Sequence, residues 1–219
     1  MKKVFTVFFV LSISLITLAQ SSGLENKFYF RFGYVNPTKG YLGVEKDDYD
    51  FWDYLNIAGT NFELGSIFMI NSIPMPEGLG IGINADYADI STIFLTDPQY
   101  DETSMMFKLA VKVGPSLSYN PVGDLVLDAF FKIQIPAIGL ATELGEDSFD
   151  DIYMGFGGFG IATGFNIRWN FIMAGFEFNT VKMQLENIDV DGDYIGSFPY
   201  GEGIKTALPA MHFTFGFIF

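Results

Sequence analysis

The chain ends in the stretch Met211-His212-Phe213-Thr214-Phe215-Gly216-Phe217-Ile218-Phe219. The odd positions of this stretch are all large and apolar, whereas three of the four even positions are small or polar. A repeat of two residues is typical of a β-strand that has one apolar face and one mixed face. The last residue of the chain lies on the apolar face. This stretch therefore predicts a terminal strand with one face in an apolar environment.

The other end of the chain predicts a secretory signal peptide. Met1-Lys2-Lys3 precedes an apolar run from Val4 to Leu18, and small residues follow around Ala19. The run is shorter than the ~20 apolar residues that a membrane-spanning helix needs. We expect residues 1–20 to be removed, with cleavage after Ala19 or Gln20, and residues 21–219 to form one domain.

Composition narrows the class of protein further. The net charge is −14, and loss of Lys2 and Lys3 with the signal peptide makes the mature chain about −16, so it would repel nucleic acid. Cysteine is absent, which excludes a lipid anchor on cysteine, disulfides and thiolate chemistry. The chain holds 25 Phe and 24 Gly and no other long apolar run, a composition that suits a membrane β-barrel.

Eight segments alternate between apolar and polar positions, and each predicts a strand. Long connections, rich in carboxylates, and short turns separate the segments in alternation. The predicted strands are 27–35, 58–70, 79–87, 105–117, 125–135, 153–167, 172–179 and 207–219, and the predicted long loops include 45–53, 89–103, 143–151 and 186–206. Proline breaks a ladder hydrogen bond, but Pro115, Pro136 and Pro209 fall near predicted strand ends, where a bulge can hold them.

These segments predict an all-β fold, an eight-stranded antiparallel up-and-down transmembrane β-barrel. Each apolar face spans ~9–11 residues, the length that a tilted strand needs to cross hydrocarbon. Every backbone donor and acceptor needs a partner in lipid, so the first strand must pair with the eighth. An even number of strands places both termini on one side, where the short turns also lie. A soluble lipocalin-like barrel is the rival fold, and it would have the opposite polarity, with large apolar residues inside.

Charged residues on the polar faces predict the contents of the barrel. Six cations and four anions face inward by alternation, and this near balance favours an internal ion-pair network, because an unpaired buried charge is costly. A barrel of about eight strands is just wide enough for side chains to fill. We therefore expect a filled barrel, in which the inward glycines are the candidate positions for local cavities. The predicted interior charges are Lys27, Arg31, Glu63, Asp86, Lys108, Lys112, Asp128, Lys132, Arg168 and Glu177.

The alternation, the loop lengths and the terminal Phe219 resemble those of small eight-stranded bacterial outer-membrane proteins. This class includes the outer-membrane protein A transmembrane domain and the outer membrane protein beta-barrel group common in Bacteroidetes-type bacteria. The resemblance covers the mature chain and implies an outer-membrane location in a Gram-negative cell, with periplasmic termini. It also implies that Phe215, Phe217 and Phe219 are an assembly signal for the barrel-assembly machinery. The implied surroundings are outer-membrane lipid, and no cofactor is implied.

Two candidate chemical sites are weak. His212 is the single histidine, and a lipid-modifying enzyme would need it as a general base, yet no serine motif accompanies it. We expect interior hydrogen bonding for His212. Asp189, Asp191 and Asp193 resemble half of a calcium loop, but the glycine and the closing glutamate of the helix-loop-helix calcium motif are out of place. The simpler interpretation is a solvated acidic loop.

Three functions remain open from the sequence. The first is a non-enzymatic outer-membrane barrel, a structural element or a subunit of an envelope complex that acts through its acidic loops, where aromatic residues could contact another envelope protein or a glycan. The second is a narrow porin-like conduit for small or apolar solutes. The third is an enzyme that modifies lipids of the outer leaflet.

Overall fold

A computed structural model describes residues 24–38, 56–97, 102–144, 152–188 and 204–219. These residues form ten β-strands and no helix. No helix in this described part is long and apolar enough to cross a membrane. The strands are β1 (Lys27–Pro37), β2 (Asn56–Met69), β3 (Leu79–Asp97), β4 (Glu102–Val122), β5 (Leu125–Leu144), β6 (Ile152–Phe156), β7 (Phe159–Trp169), β8 (Ile172–Ile188), β9 (Ile204–Ala207) and β10 (Ala210–Ile218).

The ten strands make a closed antiparallel barrel with eight wall positions. β6 and β7 share one position, because Gly157 and Gly158, with φ of 73° and 139°, interrupt the strand between them. β9 and β10 share another, interrupted at Leu208 and Pro209. β10 pairs with β8 on one side and with β1 on the other, which closes the ring. The predicted all-β, eight-stranded antiparallel barrel is confirmed, including the pairing of the first strand with the last, and its transmembrane placement stays a prediction.

The register of the barrel determines its dimensions. Starting at Tyr34 of β1, we move from each residue to its pairing partner on the next strand. In the direction of β2, this path passes β2 to β6 and reaches Glu186 on β8. In the direction of β10, it reaches Phe176 on the same strand β8. One full circuit of the barrel therefore displaces the pairing by ten residues along β8, and this displacement is the stagger (shear number) of the barrel. Eight strands with this stagger tilt by about 40° and form a backbone cylinder of about 8 Å radius. Such a cylinder has room for side chains and little else.

The two ends of the barrel differ. The turn end carries the short connections at 70–78, 123–124 and 170–171, and β1 and β10 meet there, with Phe28 and Phe219 exchanging backbone hydrogen bonds of 3.0 and 2.8 Å. The loop end is the opposite end, from which the segments 39–55, 98–101, 145–151 and 189–203 leave the strands. The acidic stretches predicted as loops lie mostly in these segments, outside the described residues.

One predicted long loop is wrong. Residues 89–97 and 102–103 of that stretch continue the wall, because β3 extends to Asp97 and β4 begins at Glu102. A bulge between Asp86 and Asp89 shifts the register, so that both of these side chains point inward. A bulge reverses the alternation of faces, and the reversal looks in the sequence like the end of a strand.

The last predicted loop, 186–206, was also too long, because β8 extends to Ile188 and β9 begins at Ile204. The turn predicted at Trp169-Asn170 lies one residue later, at Asn170 and Phe171, with Asn170 at a φ of 54°.

The prolines divide into two kinds. Pro209 lies in the break between β9 and β10, as expected, and Pro136 lies at a register shift between β4 and β5 but inside β5 and not near its end. Pro115 also lies well inside its strand, β4, where it pairs with Ile83 of β3. The β4–β5 ladder has no paired residue between Val113 and Ser116, so the lost donor of Pro115 falls in a local gap of that ladder.

Candidate functional site

The interior of the barrel is charged through its middle. Nine of the ten charged residues predicted to face inward are buried there, and Lys27, half-buried at the turn end, makes interactions of its own. Asp89 joins them as a buried carboxylate that the sequence did not predict. The buried set is therefore balanced, with five cations and five anions among the described residues. The cations are Arg31, Lys108, Lys112, Lys132 and Arg168, and the anions are Glu63, Asp86, Asp89, Asp128 and Glu177.

Lys112 is the centre of this network. Its ammonium is ion-paired with Glu177 and lies 3.2 Å from Glu63 Oε1, 3.3 Å from Asp89 Oδ2 and 3.9 Å from Asp86 Oδ2. One cation thus contacts four carboxylates from three strands, with no water-exposed surface on its side chain. Such a cluster is tolerated in a barrel core only because each charge has several opposite neighbours.

The other cations offset the remaining negative charge. Lys132 Nζ lies 2.7 Å from Asp86 Oδ2 and 3.5 Å from Glu177 Oε2. Arg31 pairs with Glu63 and also donates to Asn166 Oδ1 at 2.6 Å. Lys108 Nζ lies 3.1 Å from Asp89 Oδ2.

A second charged contact lies nearer the turn end. Arg168 donates from Nε and Nη2 to the two carboxylate oxygens of Asp128, each at 2.7 Å. Ser118 donates to the same carboxylate at 2.6 Å. A guanidinium and a carboxylate that face each other through two parallel hydrogen bonds form a geometrically specific pair.

Neutral polar groups complete the layer. Tyr29 donates through its hydroxyl to Asp86 and lies 2.7 Å from Asn84 Oδ1, and Gln134 donates to Asp89 at 3.1 Å. Tyr29 was not among the predicted interior residues, although its odd position in the first strand places it on the face of Arg31. The alternation was the signal that could have found it.

His212 is a buried part of this network. Asn61 Nδ2 lies 3.2 Å from its Nδ1, Asn179 Nδ2 lies 2.8 Å from its Nε2, and Glu63 Oε1 lies 3.7 Å from Nδ1. These contacts are the interior hydrogen bonding expected for His212. No hydroxyl group contacts the ring among the described residues, so no nucleophile accompanies it there.

Glu63, Glu177 and His212 also form a group of possible metal ligands that the sequence did not suggest. Each offers one ligand atom, and these atoms lie within 4.8 Å of one another. Lys112, however, already supplies a cation to both carboxylates, and Arg31 and Lys132 lie beside it. A metal ion at this position would be repelled by three fixed positive charges, so we assign none.

Apolar layers close the interior at both ends of the charged middle. At the turn end, Tyr29, Ile67, Met69, Met173 and Ile218 form one buried cluster. The cluster at the loop end consists of Val35, Ile93, Met106, Val181, Met183, Leu185, Leu208 and Ala210. Between this second cluster and the charged layer lies a cavity of about 10 Å³, bordered by Ser91, Lys108, Asn179 and His212. That volume suits one water molecule.

The inward glycines accommodate this filling and do not leave holes. A Cβ at Gly175 would lie 2.8 Å from Nη1 of Arg31, and a Cβ at Gly139 would collide with the end of Met183. At these two positions, a longer side chain from another strand fills the space beside the glycine.

The outer surface has the opposite chemistry. Large apolar side chains are exposed on every wall strand that crosses the middle of the barrel, from Phe32 and Phe215 to Val113 and Ile133. The exposed charged side chains among the described residues are Glu25, Glu77 and Asp124 at the turn end and Lys182 at the loop end. Phe215 and Phe217 of the expected assembly signal are exposed on this surface. Their role in assembly remains a prediction.

Asp189, Asp191 and Asp193, the weak calcium candidates, lie outside the described residues. No family model matches this chain, and a comparison with curated proteins found no match. The arguments below therefore rest on the geometry of the barrel.

Proposed function

We propose that this protein is a non-enzymatic integral outer-membrane β-barrel, exported by its signal peptide, with both termini in the periplasm. It acts as a structural element or as a subunit of an envelope complex, through the acidic segments at its loop end. The observation that carries the proposal is the inverted polarity of the barrel. Ten charged residues are buried inside, while Phe, Val, Leu and Ile side chains cover the outside.

This polarity is the reverse of what a soluble barrel needs. Exposed apolar patches of this extent are unstable in water but are matched by the acyl chains of a bilayer. The lipocalin-like alternative would require large apolar residues inside and charges outside, which disagrees with the burial of Lys112 and the exposure of Val113.

The filled interior favours a structural or complex-forming role over a conduit. Apolar layers cover the charged network at both ends, and the one cavity bordered by the described residues Lys108 and His212 has room for about one water molecule. A lipid-modifying role for His212 also lacks support, because the ring lies beneath the apolar layer of the loop end and its neighbours are two amides and the Glu63 carboxylate.

The test begins with the untagged mature protein in native membranes. Carbonate washing should leave it in the membrane fraction, and its gel mobility should shift on heating because a folded barrel resists detergent. Purification in mild detergent should then bring along a partner in a fixed ratio. Release by carbonate would contradict membrane insertion. A lone protein that conducts ions in planar bilayers would support the conduit instead, and an altered lipid profile in His212→Ala cells would support the enzyme.

A further inference from the structure

The two ends of the barrel interior are closed in different ways. At the loop end, seven of the eight side chains in the apolar layer belong to wall strands, and the eighth, Leu208, lies in the break between β9 and β10. At the turn end, five side chains belong to the wall, and Leu24, which precedes β1, packs against them. A contact from outside the wall can be removed without breaking a strand pair, so the two closures differ in how easily they open.

Leu24 is seated on β2 and β3 at the turn end. A Cβ at Gly80 would lie 3.5 Å from Cδ2 of Leu24 and 2.6 Å from Cε of Met69. A Cβ at Gly82 would lie 3.2 Å from Sδ of Met69. The two glycines therefore form a shallow groove that holds the side chain of Met69, which we call the glycine groove. Gly80 is nearer to the turn end than Gly82, so Leu24 covers the outer end of this groove.

One hydrogen bond ties this segment to the wall. Asn26 Oδ1 accepts a hydrogen bond from the backbone N–H of Met69 at 2.7 Å. The bond lies just beyond the last pair of the β1–β2 ladder, which is Lys27 with Ile67. A half-buried leucine and one hydrogen bond hold a segment far less firmly than a strand ladder does, and such segments open locally at a low free energy.

Hydroxyl groups lie directly behind Met69. Ser118 Oγ lies 4.0 Å from Met69 Sδ and donates to Asp128. Ser116 Oγ lies beside the same sulfur, 3.1 Å from the position of a Cβ at Gly82. This hydroxyl is buried and has no hydrogen-bond partner among the residues that the structure describes. A buried hydroxyl without a partner is costly, and water that reached it would supply the missing hydrogen bond.

We propose that residues 24–26 form a movable stopper at the turn end. In the closed state, Leu24 holds the flexible side chain of Met69 in the glycine groove, and water is kept out. When the stopper leaves, Met69 changes rotamer, and water enters a vestibule lined by Ser116 and Ser118. The wall of the barrel stays intact during this change, because β1 pairs with β2 on one side and with β10 on the other.

The vestibule ends at the charged pair of Asp128 and Arg168. Two hydrogen bonds of 2.7 Å join this guanidinium and carboxylate, so the pair forms the floor that entering water meets. The stopper thus admits water and small polar solutes from the turn end without making a path through the barrel. The inference requires the closed barrel alone and does not depend on the membrane location.

The test uses single cysteines, because the chain has none of its own. Ser116→Cys reports on the vestibule, and the replacement loses no hydrogen bond among the described residues. Ser91→Cys is the matched control, since it replaces another buried inward serine, which borders the cavity below the loop-end layer. The purified protein in mild detergent is treated with a small charged methanethiosulfonate, and the rate of modification is followed by mass.

Three variants of the stopper give the comparison. Leu24→Ala should raise the rate at Ser116→Cys about tenfold, because much of the apolar contact that holds the segment is lost. Asn26→Ala should raise it by a smaller factor, since only the hydrogen bond to the wall is removed. Glu25→Ala changes an exposed side chain of the same segment and should leave the rate unchanged. None of the three should alter the rate at Ser91→Cys.

Equal rates at Ser116→Cys with and without Leu24→Ala, whether fast or slow, would overturn the inference, because the stopper would then not control access. An equal rise at Ser91→Cys would also overturn it, since the whole barrel would have loosened. The heat-dependent gel shift is recorded for every variant. If Leu24→Ala loses this shift, Leu24→Val and Asn26→Ala replace it in the comparison, and the same outcomes decide.

Discussion

Lys112 and Val113 are neighbours in the chain, yet they belong to two regions with opposite chemistry. Lys112 lies inside the barrel among four carboxylates, whereas Val113 is 49% exposed on the outside. The interior is stable because every charge there is matched by others at short range. The exterior is stable only where the solvent is apolar. The difference shows that one alternating strand presents a charged face and an apolar face, which are separated only by its own backbone.

The largest expected effect comes from breaking the charge balance inside. Lys112→Met removes the cation from four carboxylates while keeping most of the side-chain volume. We expect a loss of about 3–5 kcal/mol in the free energy of unfolding, because the remaining carboxylates are buried without their counter-ion. Urea titration of the barrel in lipid vesicles, followed by the heat-dependent gel shift, measures the loss. A variant as stable as the wild type would mean that water reaches the middle of the barrel.

The next effect comes from placing a charge on the other side of the same strand. Val113→Lys should cost about 2–4 kcal/mol in a bilayer, because position 113 lies near the middle of the apolar band. The matched control is Gln184→Lys, beyond the apolar run of β8, with an expected cost of about 0–1 kcal/mol. The same titration compares them. Equal costs at both positions would argue against a bilayer around the barrel.

A smaller effect is expected in the apolar layer at the loop end. Met183→Ala removes a side chain that fills the space beside Gly139 and should destabilise the barrel by about 2 kcal/mol, the low end for such a truncation, because this rim can partly collapse. Planar-bilayer recordings of the same variant should remain silent, since the charged network below stays in place. Stable ion currents would show that Met183 alone closes the interior.

The smallest effect is expected when a charge pair is removed in balance. Asp128→Leu with Arg168→Met replaces both partners by apolar side chains and should change the stability by no more than about 1 kcal/mol. Asp128→Leu alone should cost about 3 kcal/mol, because the guanidinium then loses its carboxylate. The double-mutant cycle measures the coupling. Additive effects would show that the two groups do not act as a pair.

Much of the barrel was predictable because its signal is local. The alternation in the terminal stretch placed His212 and Thr214 inside and Phe213 and Phe215 outside, as the structure has them. Errors occurred where a local irregularity interrupts the alternation. The bulge before Asp89 hid a buried carboxylate and ten further residues of strand, because a reversal of faces has no signature that distinguishes it from a strand end.

The pairing inside the barrel was not predictable in the same way. Alternation states that Lys112 faces inward, but Glu63 and Glu177 reach it from strands far away in the sequence. Their meeting depends on the stagger of ten residues, which is a property of the closed ring and of its bulges.

The sequence by itself determined the all-β class, the number of wall strands and the side of each strand on which a residue lies, because these depend on a two-residue period that any stretch of chain carries. Only the tertiary structure decided which charges neutralise one another and how the apolar layers close the interior. Those properties arise from closure, since the ring fixes the tilt and the register, and with them which side chains from distant strands share one height.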